Sequence, residues 1–423
     1  MKKLCPHLIT SMKGYTKAQF LKDLIAGVIV AIIALPLSIA LAIASGVGPE
    51  VGLYTAIVAG FIISLLGGSP VQIAGPTAAF ASIVAGIVAE KGIGGLAIAT
   101  VMAGILLIIM GLLGLGSLIK YIPHTITTGF TAGIAVTIAI GQVKDFLGLT
   151  FTTSPVETLD KLKAIIGSFK TVNPWAVLIG AVALAILILL AKFLPKIPAS
   201  LIAVLVCAAA VKLLKLDVNT IGALYPDITS APPKFTVPDF SLESIVSLIP
   251  NAVTIAVLAG VESLLSCVVA DGMLGTKHNS NMELVAQGIG NIGSAFFGGI
   301  PATGAIARTA ANIKNGGRTP IAGMVHAVVL LLVLVLFMPY AKLIPMPAIA
   351  AILFVVAYNM SEWREFKSIV CTAPKYDILV LVLTFLLTVI FDLVVAIAVG
   401  LAVHYAIKLI KHMSQNKKYE KNS

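Results

Sequence analysis

Charge is what this sequence has least of. Only 11% of its 423 residues are Asp, Glu, Lys or Arg and 59% are hydrophobic, whereas soluble domains carry about 25% charged and 45–50% apolar residues. A chain this apolar cannot cover a water-facing globule, so the composition excludes a soluble fold and points to an all-α polytopic membrane protein. Cysteine is scarce as well. Cys5, Cys207, Cys267 and Cys371 lie far apart, which excludes a disulfide framework and a paired redox site. No His, Cys and acid cluster has the spacing of metal ligands. Neither a GxxxxGKS/T phosphate loop nor a GxSxG elbow occurs, so an ATP-driven pump and a serine hydrolase both lack their signature residues. No set of residues supports an enzyme, and none implies a cofactor.

The charge that is present is unevenly placed. Lys2, Lys3, Lys13, Lys17 and Lys22 stand against Asp23 at the start, and Lys408, Lys411, Lys417, Lys418 and Lys421 against Glu420 at the end. Ten basic residues against two acidic ones leave +8 of the net +11 at the two ends of the chain, in the tails 1–23 and 411–423 together with Lys408 at the end of the last span. Short basic flanks stay on the cytoplasmic side. Both termini are therefore expected inside, the number of crossings is even, and the tails are too short for a nucleic-acid module. Their positive charge suits anionic lipid. The apolar run 24–44 is too long for a signal peptide and lacks a cleavage site after it, so it reads as the first span.

Apolar runs broken by Gly, Pro or charge give about fourteen helical segments. Twelve are plain: 24–45, 51–66, 96–119, 124–142, 174–194, 198–214, 245–270, 282–297, 319–338, 345–358, 376–391 and 393–410. Two more, 76–89 and 304–315, are too short to cross alone and each follows a Gly/Pro-rich stretch. The connection 216–243 holds Asp217, Asp227, Asp239 and Glu243 against Lys234, as an outside loop should, whereas Lys120, Lys192, Lys196 and the stretch from Arg308 to Arg318 fall in inside connections.

The two odd segments resemble each other. Gly67 to Phe80 reads GGSPVQIAGPTAAF and Gly298 to Thr309 reads GGIPATGAIART, sharing GGxP, a small-residue turn and a helix start. Seven segments per half is an odd number, so the halves run in opposite directions across the bilayer, as in the inverted repeats of many secondary transporters. Half-helices that begin at membrane depth aim unpaired N–H groups and positive dipole ends into a cavity. Such a place attracts anions.

Ionisable residues inside apolar runs are costly and suggest function. Glu262 is one, as proton carrier, cation ligand, or partner of a buried Arg. Arg308, one turn past Gly304, adds positive charge to the second half-helix start, unless it is a flanking charge that snorkels to the surface. Asp392 reads as a turn residue. His326 and His404 read as hydrogen-bonded core histidines, and His7, His124, His278 and His412 are scattered near segment ends.

The sequence resembles the SulP family, the sulfate-permease group of anion transporters and exchangers, from about Asp23 to His412. The motifs that carry this are DLIAGVIVAIIALPLSIALA from Asp23, IAGPTAAF from Ile73, VESLLSCVVADGM from Val261, KHNSNMELVAQGIGNI from Lys277, FFGGIPATGAIARTAANI from Phe296 and NMSEW from Asn359. The resemblance implies seven plus seven inverted helices in one transmembrane domain over 24–410, divided into a core (24–119 and 245–338) and a gate (120–215 and 339–410). It places substrate between the starts of segments 3 and 10. The contact residues it implies are Leu37 and Ser38 in segment 1, Gly75, Thr77 and Ala78 in segment 3, and Gly304, Ala305, Ile306 and Arg308 in segment 10. The resemblance further implies that Glu262 and Ser266 of segment 8 serve coupling, that the core moves against the gate as an elevator, and that the protein is a homodimer.

Three departures from the family pattern shape the expectation. Leu37 stands where many members have Gln. A sodium-driven bicarbonate branch tends to have Asp at the Glu262 position and a hydroxyl residue at Ile306, so this chain favours protons over sodium. The chain stops about a dozen residues past the last span, without the STAS domain that members usually carry. The expected function is secondary active transport of a small anion in the plasma membrane, sulfate first, then bicarbonate or a dicarboxylate, by proton symport or exchange. A nucleobase–cation symporter of similar architecture is the distant alternative, because segment 10 offers Arg308 and no acid. An uncoupled anion conductance is the third.

Overall fold

The computed structural model describes residues 4–117, 123–152, 155, 157–194, 197–391 and 393–422. Lys2, Lys3, Lys120 and Lys196, used in the charge argument, and Asp392, read as a turn residue, lie outside them. The chain is a helical bundle in the order α1 (His7–Ser11), α2 (Lys17–Ala44), α3 (Pro49–Leu66), β1 (Ala74–Gly75), α4 (Ala81–Leu112), α5 (His124–Leu147), α6 (Thr158–Gly167), α7 (Pro174–Phe193), α8 (Ala199–Leu214), α9 (Ile221–Leu224), α10 (Leu242–Leu274), α11 (Ser280–Phe296), β2 (Thr303–Gly304), α12 (Ile306–Lys314), α13 (Ile321–Ala341), α14 (Met346–Met360), α15 (Trp363–Thr372), α16 (Lys375–Ile390) and α17 (Leu393–Asn422). Among the described residues, eight helices are long and apolar enough to cross a membrane, with α8 and the 395–409 part of α17 shorter but apolar. A helix closes its own backbone hydrogen bonds, which lipid cannot do for it.

The helix ends carry local signals. The Thr16, Asn173, Ser241 and Asn279 side chains cap α2, α7, α10 and α11, and Pro49 and Pro174 occupy first turns, where a missing N–H costs nothing. Gly148 and Gly275 take the left-handed conformation that ends α5 and α10. All twelve plain segments form, most within a few residues of the sequence boundaries. The two short segments differ in kind. Residues 304–315 become the nine-residue α12, whereas 76–89 fuses with the next span into α4, broken at Gly92, whose φ of +68° interrupts the helix. The polar helices α6 and α15 were not expected, because an apolar scan passes over short amphipathic elements.

Packing separates two sets of helices. In one, α4 packs on α10 and α11, α3 on α11 and α13, and α2 on α13; in the other, α5 packs on α14 and α16, α7 on α8 and α14, and α16 on α17. Lipid gives no hydrophobic drive between spans, so close backbone approach at small residues matters more than in water. A Cβ on Gly104 of α4 would lie 2.6 Å from the Gly288 carbonyl of α11, and one on Gly129 of α5 would lie 2.8 Å from the Leu381 carbonyl of α16. The sets meet where α2 touches α8 and α14 and where the turn at 78–80 touches α5.

Asp23 proves to be a structural acceptor rather than a tail charge, since α2 already begins at Lys17. It is fully buried. Its Oδ1 accepts from Gln19 Nε2, Arg318 N and Thr319 N, and its Oδ2 from the Tyr15 and Thr319 hydroxyls. These bonds fix the entry to α13 against the start of α2. Burial, with the Asp23 carboxylate beside it, pushes the Tyr15 phenol up to about 12.

Candidate functional site

The two GGxP stretches end in strand stubs that pair with each other. β1 and β2 run antiparallel, with Ala74 opposite Gly304 and Gly75 opposite Thr303. Each stub leads directly into a helix start, α12 at Ile306 and a short 3-10 turn at Ala78–Phe80 that opens α4. Neither start has a side-chain cap. Two sets of backbone N–H groups therefore begin side by side within the bundle, facing the same region from opposed halves.

The irregular backbone leading there is held by buried polar side chains, as non-helical chain at membrane depth requires. Asn291 of α11 donates to the Ala302 carbonyl at 2.9 Å and accepts from Ala302 N at 2.8 Å. Thr55 of α3 accepts from Ile300 N, Thr303 donates to the Ala259 carbonyl, and Asn312 donates to the Val71 carbonyl. Thr309 accepts from Ile73 N at 3.0 Å, while Ala305 N donates to the Ile73 carbonyl at 2.8 Å. The first stretch is thus pinned by the second.

Arg308 is in the first turn of α12 and only 2% exposed. It is not the snorkelling surface charge that its position also allowed. Its Nη2 donates to the Pro76 carbonyl at 3.0 Å, and Nη1 is buried with no protein partner among the described residues. Gly75 makes room for it, since a Cβ there would lie 2.5 Å from Nη1. Among the described residues no carboxylate lies within 4.0 Å of the guanidinium. Its positive charge is uncompensated at close range. Glu262, half-buried on α10, accepts instead from the Thr77 hydroxyl at 2.9 Å. Adjacent residues 76 and 77 therefore hold the arginine through a carbonyl and the carboxylate through a hydroxyl.

The other expected contacts divide. Gly75, Thr77, Ala78, Gly304, Ala305 and Ile306 all lie on the two starts, with Ile306 39% exposed and Ala78 and Ala305 nearly buried. Leu37 and Ser38 lie on α2, where the Ser38 hydroxyl is committed to the Ala34 carbonyl at 3.1 Å. No hydrogen bond among the described residues joins Leu37 or Ser38 to the two starts. Ser266 is in a buried network, donating to Gln72 Oε1 at 2.8 Å and to Thr309 at 3.4 Å.

That network was missed in the sequence. Its centre is Glu283 of α11, fully buried, which accepts from Gly68 N at 2.9 Å, Gln287 Nε2 at 3.0 Å, Ser263 at 3.2 Å and Gln72 Nε2 at 3.4 Å. Gln72 also donates to the Ser263 hydroxyl and carbonyl, and a Cβ on Gly304 would overlap its Nε2. The available signal was Glu283 itself, an acid inside the apolar run 282–297. Among the histidines, both ring nitrogens of His326 lack a hydrogen-bond partner among the described residues, contrary to the expected hydrogen-bonded core histidine, and Nδ1 of His404 lacks one as well. His278 pairs with Asp271 at 2.6 Å.

An opposed pair of uncapped helix starts with a guanidinium that has no carboxylate within 4.0 Å among the described residues offers the donors and positive charge that suit an anion. Comparisons with known proteins agree with that chemistry. The sequence profile described as the sulfate permease family matches residues 20–384. YvdB of Bacillus subtilis (strain 168), named a putative sulfate transporter, is 46% identical over 376 residues, which is 89% of this chain and 71% of that protein. The bicarbonate transporter BicA of a Picosynechococcus species is 34% identical, over 86% of this chain and 66% of its own length. The chain thus spans about two thirds of the length of these relatives. The solved transmembrane domain of a cyanobacterial BicA superposes with a TM-score of 0.80 at 31% identity, covering 90% of this chain and 98% of that one. SLC26A9 superposes at 0.85 with 20% identity, over 96% of this chain and 68% of that one, a likeness of fold alone. These relatives are named as transporters rather than enzymes, and the chain belongs to the sulfate permease family of membrane anion transporters.

Proposed function

We propose that this chain is a secondary active transporter that carries sulfate, or a similar small anion, across the plasma membrane by proton symport or anion exchange. The observation that carries this reading is Arg308, whose buried Nη1 has no protein partner and no carboxylate within 4.0 Å among the described residues. A fixed guanidinium between two helix starts suits an oxyanion, because it offers planar paired donors and the backbone offers N–H groups. The substrate contacts proposed are Gly75, Thr77, Ala78, Gly304, Ala305, Ile306 and Arg308, with Leu37 and Ser38 flanking from α2.

Glu262 is proposed to carry the proton. It shares the 76–77 turn with Arg308 through Thr77. Picking up a proton there offsets the charge of a loaded site, which would otherwise cost several kcal/mol to move through the bilayer. Ser266 supports the same region through Gln72 and Thr309. In the proposed cycle the set built on α2, α3, α4 and α10–α13 is the core, the set built on α5, α7, α8, α14, α16 and α17 is the gate, and the core carries the site past the gate as an elevator. Both termini face the cytoplasm, and the protein acts as a homodimer.

Bicarbonate is the second reading, favoured by the 34% identity to BicA. Sulfate stays first on the 46% identity to YvdB, named a putative sulfate transporter. The test is uptake of labelled sulfate, bicarbonate, succinate and chloride into proteoliposomes, with and without inward proton and sodium gradients. Saturable sulfate uptake that rises with the proton gradient is expected. Uptake that does not saturate and shows no counter-transport would make the protein a conductance instead, and thermal stabilisation by uracil but not by sulfate would favour a nucleobase carrier.

A further inference from the structure

A second basic feature lies at the other end of α12. Gln19, Lys22, Ile25 and Ile29 of α2 and the segment from Lys314 to Arg318 enclose an open hollow of about 500 Å³. Three cations line it: Lys22, Lys314 and Arg318. Lys22 and Lys314 are exposed, and among the described residues none of the three has a carboxylate within 4.0 Å. The acid next in sequence, Asp23, is fully buried and committed to five donors. Arg318 spends Nη1 on the Ile313 and Gly317 carbonyls, which closes the end of α12. The charge in the hollow is therefore largely unspent.

Directly along α2 the lining turns apolar. Ile25 is 47% exposed and Ile29 half-buried, on a helix apolar enough to cross a membrane. Cations above and a branched apolar strip below match a molecule with an anionic head and a hydrocarbon body. A free phosphate would use only the first of these. We propose that the hollow binds the headgroup of an anionic phospholipid, with Lys22 and Lys314 on its phosphate and an acyl chain along Ile25 and Ile29. The site lies at the opposite end of α12 from Arg308 and draws only Lys22 from the basic tails.

Native mass spectrometry of the full chain tests this, with phosphatidylglycerol, phosphatidylcholine of the same acyl chains, and inorganic phosphate as probes. Phosphatidylglycerol should be retained about thirtyfold better than phosphatidylcholine, the worth of two lysines facing a net negative rather than a zwitterionic headgroup. Lys22→Gln with Lys314→Gln should abolish that preference, Lys22→Arg with Lys314→Arg should keep it, and the control Lys367→Gln with Lys375→Gln should leave it unchanged. Equal retention of the two lipids by the native chain, or an undiminished preference in the Gln pair, overturns the site. Inorganic phosphate held as tightly as phosphatidylglycerol overturns the lipid assignment in favour of a soluble phosphate.

Discussion

Arg308 Nη2 donates to the Pro76 carbonyl at 3.0 Å, so the start of α12 is tied to the turn that opens α4. The contact depends on Gly75, where a Cβ would lie 2.5 Å from Nη1. Arg308→Gln should reduce the apparent affinity for sulfate by about ten- to a hundredfold, the worth of a charged hydrogen bond in a buried site. Gly75→Ala should give a similar loss without removing the charge, because the guanidinium must move. Concentration-dependent uptake into proteoliposomes measures both. Native affinity in Gly75→Ala would show that the position of the guanidinium does not matter.

Glu262 accepts from Thr77 and has no cation within 4.0 Å among the described residues, so no close ion pair occupies the carboxylate that the proposal has taking up a proton. Glu262→Gln holds the neutral form permanently. Sulfate uptake by the native protein should rise as the outside pH falls, and uptake by Glu262→Gln should be flat across the same range. Uptake by both proteins that ignores pH would remove the proton role from Glu262.

Much of this was legible before the structure. The GGxP pair announced two broken segments, and lipid leaves a polytopic chain little choice but helices, so 24–45 or 174–194 could be read from hydropathy alone. Glu262 and Arg308 stood out because charge is so rare in apolar runs. The pairing of β1 with β2 was not legible, since two-residue strands have no periodicity. Nor was the Gly92 break as a joint within one element, because a glycine marks a turn and a kink alike. Asp23 was misassigned for a related reason: beside five lysines it counted as tail charge, and only its five donors show otherwise.

Glu283 gives a prediction about stability. Replacement by Ala would leave Gly68 N, the Gln287 amide and the Ser263 hydroxyl short of an acceptor in a buried place, at a cost of about 1–3 kcal/mol per stranded donor. Glu283→Ala should therefore lower the melting temperature in detergent strongly and abolish uptake. Glu283→Gln keeps the volume and one acceptor oxygen and should lose much less. If both variants melt like the native protein, the network contributes nothing to holding the 67–75 stretch.

Tyr15 gives a prediction about alkaline pH. Burial and the Asp23 carboxylate push its phenol up to about 12, against about 10 for an unperturbed tyrosine. The folded form holds the proton more tightly than the unfolded form, so the Tyr15 contribution to stability is fully present below about pH 10 and is lost as pH rises towards about 12. A difference titration at the tyrosinate absorbance, native minus Tyr15→Phe, should show one phenol ionising near the upper value. In Asp23→Asn the same phenol should ionise at lower pH, because the negative charge that opposes its ionisation is gone. That variant should also unfold at lower temperature, since Tyr15, Gln19, Arg318 and Thr319 all donate to this carboxylate. A Tyr15 phenol titrating near 10 in both proteins would show that the two are not coupled.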